Sequence, residues 1–305
     1  MNPEISVIIC THNPRMDYLP RVLEALRAQT LPQEQWELLL IDNKSEELLE
    51  GRFDLSWHPH ARVVREEQIG LTQARLRGIA EAKGGVLVFV DDDNVLENCY
   101  IENALSIASV WEKLGAWSGS VIPEYEVPPP EELKPYLWAL CIREVREDLW
   151  GNSENFDSTP LGAGMCIRKQ VAERYASDVL TDPVKAMLDR RGESLASSGD
   201  IDMARTSLKM GFGAGVFRNL RLTHIIPKNR LTQRYFIKLF EDSTAANYVY
   251  CLSTNHKSNK RSTIDRLVEV YKYIRASKFE KMIVQSKQRG MERGRRFIAE
   301  NNIPV

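Results

Sequence analysis

Val86-Leu87-Val88-Phe89-Val90-Asp91-Asp92-Asp93 joins a run as apolar as any in this 305-residue chain to three consecutive aspartates. The apolar half reads as a buried strand, and the aspartates mark where the chain leaves the core. Immediately upstream, Thr72 to Ala82 has Ala74, Leu76, Ile79 and Ala82 as apolar members with Leu71 before it, which predicts a helix closed by Gly84-Gly85. Ala61 to Arg65 reads as a weaker strand, and Trp36-Glu37-Leu38-Leu39-Leu40-Ile41 as a buried one stopped by Asp42-Asn43. Tyr18 to Gln29 carries Leu19, Val22, Leu23 and Leu26 at helical spacing. The first strand is Ile5-Ser6-Val7-Ile8-Ile9-Cys10, running into Thr11-His12-Asn13-Pro14. Strands alternating with helices predict an α/β protein with a central, mostly parallel sheet flanked by helices. Such sheets bind ligands beyond the carboxyl ends of their strands. The polar clusters Thr11-His12-Asn13, Asp42-Asn43 and Asp91-Asp92-Asp93 fall at those ends.

Three adjacent carboxylates repel one another, so something positive must compensate them. Hard oxygen ligands suit Mg²⁺ or Mn²⁺, and Mg²⁺ is commonly held by one or two carboxylates plus substrate phosphates. In an extended segment alternate residues share a face, which pairs Asp91 with Asp93. The competing reading is a solvated acidic turn; the apolar strand before it and the two polar strand ends upstream favour the site.

The second half is less regular. Pro128-Pro129-Pro130 punctuates it, residues 131–150 read as helical, and residues 151–160 as loop. Gly162-Ala163-Gly164-Met165-Cys166-Ile167-Arg168 reads as a glycine-led strand, residues 200–211 as a helix, and Arg221 to Pro227 as a strand. Helical patterns cover about 231–250 and 262–298, the latter with an apolar stripe of Ile264, Leu267, Val268, Tyr271 and Ile274 among Lys and Arg.

Composition sets the class: 43% hydrophobic and 27% charged residues fit a globular chain, sized for one main domain with an appendage. A net charge of -1 excludes a general nucleic-acid binder, but residues 251–305 carry a net +8 against -9 for the rest. Five scattered cysteines exclude a disulfide framework or zinc site and fit a reducing compartment. The start Met1-Asn2-Pro3-Glu4 lacks signal-peptide character, and no apolar run approaches the ~18 residues of a membrane span. The expected location is the cytoplasm, with peripheral contact at the inner face of the membrane as an extension.

Five segments, in order over residues 5 to about 226, resemble the family 2 glycosyltransferases, inverting enzymes of the GT-A fold. They are Ser6 to Asn13, Leu40-Ile41-Asp42-Asn43, Ala74-Arg75-Leu76-Arg77-Gly78 through Gly84, Phe89 to Asp93, and Gly162-Ala163-Gly164-Met165 with Arg168. The resemblance implies a GT-A domain over residues 1–226, with a donor half of about 1–123, an acceptor half of about 124–226, and a basic helical extension over 227–305. It implies a nucleotide-sugar donor of UDP or GDP type, with Thr11 and Asn13 at the nucleotide, Asp42 at the base edge and Arg75 at the base or diphosphate. Asp91 matches the ribose-side aspartate, with Asp92 beside it, and Asp93 the metal ligand. Asp42 has a second reading as a cap on the following turn, and Arg75 as a surface charge.

An inverting transfer needs a base for the acceptor hydroxyl. The family's base sits in a Glu-Asp pair opening a helix; here the match is Ser198-Gly199-Asp200-Ile201-Asp202, with Gly199 in place of the glutamate. Asp200 takes the base position and Asp202 is the fallback, against helix capping as the bland reading of both. By the same resemblance His224 joins the metal shell, with Asp91 as a further candidate ligand; a lone histidine is otherwise a core residue. Trp117 reads as core, and Trp150, beside Gly151, as an acceptor-stacking candidate. The basic tail either packs its stripe on the body or meets an anionic membrane where a lipid-linked acceptor waits. Gln233-Arg234-Tyr235 stands where processive relatives carry Gln-x-x-Arg-Trp, so the reading is transfer of single sugars to a glycan or lipid-linked acceptor, in a setting such as surface-polysaccharide assembly. The competing readings are a nucleotidyltransferase, disfavoured because Thr11 to Arg15 lacks glycine, and a catalytically silent assembly protein, suggested by Gly199 alone.

Overall fold

The computed structural model describes residues 2–182, 184–185, 188–196, 198–253, 271–301 and 303. The apolar runs form β1 (Ile5–Thr11), β2 (Trp36–Asn43), β3 (Ala61–Glu66) and β4 (Val86–Asp91), parallel in the order β3-β2-β1-β4. Cys10 is level with both Ile41 and Asp91, so the polar ends of β1, β2 and β4 align along one edge. Side chains alternate across the sheet. Val7, Ile9, Leu38, Leu40, Val88 and Val90 bury one face against helix α1 (Leu19–Arg27), while Ile8, Leu39, Ile41, Leu87 and Phe89 bury the other against α2 (Leu71–Glu81).

Beyond β4 the sheet is mixed. It continues through β5 (Asn94–Leu96), α3 (Tyr100–Val110), β6 (Leu114–Tyr125), β7 (Leu149–Gly151), β8 (Cys166–Arg168), α4 (Lys169–Thr181), α5 (Gly199–Lys209) and β9 (Gly213–Ile226). Strand β8 lies antiparallel between β4 and β6, β9 is parallel to β6, and β5 and β7 pair antiparallel with β9. The parallel pairings of the expected mostly parallel sheet are those of β3-β2-β1-β4 and of β6 with β9, and the three short strands β5, β7 and β8 add the antiparallel ones. The turn at Gly164, with φ at 68°, sends β8 back against β4.

The helix expected over 131–150 is a 3-10 segment, Glu131–Leu140, with Pro135 inside it. Proline removes a helical donor, and Cys141 ends the segment in the left-handed region at φ 59°. At the C-terminus, α6 (Gln233–Ser253) and α7 (Lys278–Glu300) pack together. A Cβ on Gly290 would lie 2.5 Å from the Glu241 carbonyl and one on Gly294 2.9 Å from Tyr248, so the backbones touch. Arg289 and Arg293 pair with Glu241 and Asp242 at 2.8 and 2.7 Å, which uses part of the basic tail's charge inside the protein. Phe236, Leu239, Phe240, Phe279 and Ile283 then bury the pair against Leu133 and Leu140.

The run expected from 262 to 298 is interrupted before Lys278. Ser277 caps α7 in a reciprocal box with Glu280. Of the anticipated apolar stripe, Ile264, Leu267 and Val268 lie outside the described residues, and Tyr271 and Ile274 are exposed. Among the described residues no helix is long and apolar enough to cross a membrane.

Candidate active site

The aligned ends of β1 and β4 open onto a cavity of about 710 Å³, closed by the N-termini of α2 and α5, by His224 on β9 and by α6. Asp91 ends β4, but Asp92 and Asp93 form the turn into β5 instead of continuing extended. The shared face expected of Asp91 and Asp93 is therefore replaced by a bend, and all three aspartates reach the cavity wall.

That bend creates a pairing with a distant strand. β5 sets Asn94 opposite His224, and the Ile225 amide donates to the Asp93 carbonyl at 2.9 Å. As a result Asp93 Oδ2 lies 3.5 Å from His224 Nε2 and 3.0 Å from Arg230 Nη1. Asp92 accepts from the Thr11 hydroxyl. Burial raises the pKa of both carboxylates. His224 and Arg230 outweigh it at Asp93 and hold that group below the usual range, whereas Asp92, facing Asp93, is pushed above it.

His224 Nε2 is also 3.3 Å from Arg230 Nη1, while its buried Nδ1 has no hydrogen-bond partner among the described residues. The Arg230 guanidinium and the Asp93 carboxylate thus meet His224 at the same ring nitrogen. Among the described residues no cluster of three or more His, Cys, Asp or Glu could hold an ion. Asp93 and His224 would supply two protein ligands to a hard divalent cation, with substrate phosphate oxygens completing its shell.

Asp200 also lines the cavity, from the first turn of α5. Its carboxylate accepts from the Gly162 and Ile201 amides at 2.9 and 2.8 Å. Burial raises its pKa above the ordinary carboxylate value, Arg75 pulls it back, and Asp189 pushes it up again. A Cβ on Gly162 would meet Arg75 Nη2 at 3.1 Å and Asp200 Cβ at 3.2 Å, so bare backbone lets both groups flank the loop. Asp202 is not on this wall. It is fully buried, 3.0 Å from Lys185 and bonded to the Tyr250 hydroxyl at 2.7 Å, which makes the fallback residue part of the helix packing.

Arg75 is buried rather than a surface charge. It lines the cavity and pairs with Asp189 at 2.8 Å. Asp189 also accepts from the Thr72 hydroxyl at 3.2 Å and the Gly199 amide at 3.1 Å. A Cβ on Gly199 would fall 2.2 Å from Asp189 Oδ2, so this carboxylate fills the space of a side chain at position 199. The sole support for a silent protein, the missing glutamate, thus coincides with a carboxylate supplied from elsewhere.

Thr11 reaches the cavity, but Asn13 and Asp42 do not. Asn13 accepts from the Glu46 amide at its side-chain oxygen and donates its own backbone amide to the Ser45 hydroxyl, both at 2.9 Å, tying the β1 loop to the β2 loop. Asp42 accepts from the Ser45 and Leu49 amides at 2.9 and 3.3 Å and from Arg65 at 2.7 Å. Its carboxylate is spent on capping that turn, and its neighbour Asn43 forms the wall instead.

Trp117 is fully buried. Trp150 belongs to β7, where pairing with β9 holds its ring 5.0 Å from Trp111, outside the cavity. The aromatic rings on the cavity wall are those of Trp138, Phe156, Tyr235 and Phe240. Trp138 meets Phe240 edge-on at 5.8 Å, and Lys287 Nζ lies 4.7 Å above the Phe240 ring. Asp189, Arg190 and Arg230 escaped the sequence reading because they lie in connections between elements, where no periodic pattern gives a charge a direction. Phe156 sits alone in a loop, and Lys287 is one of many tail cations.

The model of the family described as "Glycosyl transferase family 2" matches residues 6–165. Similar proteins include Glycosyltransferase AglE of Haloferax volcanii, 29% identical over 110 residues, covering 35% of this chain and 36% of that protein. The chain thus spans about a third of that relative's length. Putative glycosyltransferase EpsH of Bacillus subtilis is 22% identical over 298 residues, covering 89% of this chain and 76% of that one. The crystal structure of S. aureus TarS 1-349 in complex with UDP superposes with a TM-score of 0.54 at 11% identity, over 96% of this chain and 89% of that one. At that identity the likeness speaks for the GT-A fold.

Proposed function

This chain belongs to glycosyl transferase family 2, and from that premise we propose that it moves one sugar from a nucleotide-diphospho-sugar to an acceptor hydroxyl with inversion. The observation that carries the proposal is the placing of Asp93 and Asp200 on the wall of one cavity in opposite electrostatic settings. In this reading the acceptor oxygen attacks the anomeric carbon, its proton passes to the Asp200 carboxylate, and the bond pair of the broken C–O bond leaves with the nucleoside diphosphate. Arg230 stands beside Asp93, and Arg190 on the same wall, to meet the developing charge. Asp93 and His224, with Asp91 as a further candidate, would hold Mn²⁺ or Mg²⁺, which when bound offsets charge on the departing diphosphate.

The nucleotide lies, on this proposal, against the ends of β1 and β4, with Thr11, Asn43 and Arg75 on its side of the cavity. Asp42 and Asn13 act behind that wall by fixing the loops. UDP is the first nucleotide to test, GDP the second. The acceptor enters past the Trp138, Tyr235 and Phe240 rings, where an amphipathic glycan face or the start of a lipid link has apolar surface to meet. A membrane-borne acceptor would bring the basic C-terminal region to an anionic surface.

A panel of UDP- and GDP-sugars with Mn²⁺ or Mg²⁺ tests the proposal. Release of nucleoside diphosphate from one donor, dependent on the cation, is the expected outcome. A protein that binds no nucleotide and turns over no donor under these conditions removes it.

A further inference from the structure

We infer that Asp189 is a positioning residue for the proposed transfer, placing from a neighbouring loop the single carboxylate that holds Arg75 away from Asp200. The inference rests on the transfer reading above. Oδ2 of Asp189 receives Arg75 at 2.8 Å and the Thr72 hydroxyl at 3.2 Å, both from α2. Oδ1 receives the Gly199 amide at the start of α5 at 3.1 Å. One carboxylate therefore ties the helix that carries Arg75 to the helix that carries Asp200.

The geometry allows only one carboxylate there. A Cβ at position 199 would sit 2.2 Å from Oδ2 and 2.6 Å from Cγ of Asp189, distances no pair of atoms sustains. Positions 189 and 199 are thus alternative sources of the same negative charge. Without either source, Arg75 is a buried cation with an empty side. The other carboxylates acting on it are Asp91 and Asp200, and Arg75 Nη2 and Asp200 Oδ2 lie 3.1 and 3.3 Å from the same point above Gly162. Capture by Arg75 engages Asp200 as an ion pair and withdraws it from the acceptor proton.

The test is an exchange experiment on the full chain. Asp189→Asn keeps the shape and the bond from Gly199 but removes the charge. It is expected to fold, to lower kcat by at least about tenfold, and to change the donor KM by less than about threefold. Gly199→Glu alone is expected to lower the Tm through the clash. The double variant Asp189→Gly with Gly199→Glu is expected to recover Tm, UDP affinity and kcat to within about threefold of the parent, a coupling that independent sites do not show. Parental kcat in Asp189→Asn overturns the inference. So does a double variant that regains its Tm but not its kcat, which would leave Asp189 a packing residue. Should the parent protein turn over no donor, the transfer reading fails by itself. UDP affinity across the same variants then decides the exchange, and a double variant binding no better than the worse single one overturns it.

Discussion

Two carboxylates line this one cavity, and their surroundings differ in kind. Asp93 stands among partners that favour charge, with Arg230 at 3.0 Å and His224 at 3.5 Å, and is held ionised. Asp200 accepts from two backbone amides, the ion pair of Arg75 goes to Asp189 instead, and burial lifts its pKa. The difference divides the labour. A carboxylate kept charged suits a cation and phosphates, and one whose pKa is lifted suits proton transfer. Enzymes generally separate acid-base from electrostatic roles by environment rather than by residue type.

The largest expected effect comes from Asp200→Asn. Transfer should fall roughly a hundred- to ten-thousand-fold, as for loss of a general base, while UDP affinity stays near that of the parent in calorimetry. The linkage sign adds a second readout. An acid whose folded pKa is raised contributes stability below its unfolded pKa and loses it as pH climbs to the folded one. The parent carries that loss at neutral pH, so the Asn variant should have an equal or higher Tm at pH 7. Both carboxylates would be doing one job if this variant lost nucleotide binding as well.

Asp93→Asn should act on the other term. Asp93's lowered pKa means that its charge stabilises the fold at neutral pH through Arg230 and His224, so the ligand-free Tm should fall, and the extra Tm gained from UDP with Mn²⁺ over UDP alone should vanish. A gain that survives would place the cation elsewhere. Next in size is the pH profile. Activity should fall about tenfold per unit on the acid side of Asp200's ionisation, and that limb should lie above the ~4 of an exposed carboxylate. The groups facing Asp200 that set it are Arg75 of α2, Asp189, Cys141 and the Gly162 and Ile201 amides. A limb at the ordinary carboxylate value would equate the two centres.

The smallest effect belongs to the acceptor side. Trp138→Ala should raise the acceptor KM by a few fold, in line with the roughly 0.5–1.5 kcal/mol of an aromatic contact. Trp150→Ala should leave it unchanged, since that ring packs on Trp111. Equal effects would show that the acceptor path crosses the sheet edge instead.

The Asp93 side of this comparison was largely legible in sequence. Apolar runs such as Val86 to Val90 predict buried parallel strands, and register then forces their polar ends together. The pairing of Asp93 with His224 rests on β5 meeting β9, a three-residue strand and a contact 131 positions apart that local pattern does not encode. On the Asp200 side, the helix start was readable from its acidic first turn, but Asp189 was not, because an aspartate in a connecting segment, followed by Arg190 and Arg191, carries no periodic signal. Asp42 shows the opposite failure. Its place after β2 pointed outward to a ligand, yet the turn that follows consumed its oxygens. Trp150 was misplaced because β7 is too short to stand out from a loop.

The division between the two centres makes one direct commitment, that a lone base at one centre drives a single displacement against a leaving group held at the other. The stereochemistry of the product reports it. With the donor identified from the panel and the divalent cation present, the anomeric configuration of the first transferred or hydrolysed sugar can be followed by proton NMR. The account predicts inversion relative to the donor; retention would require a covalent or front-face route and would contradict the role given to Asp200.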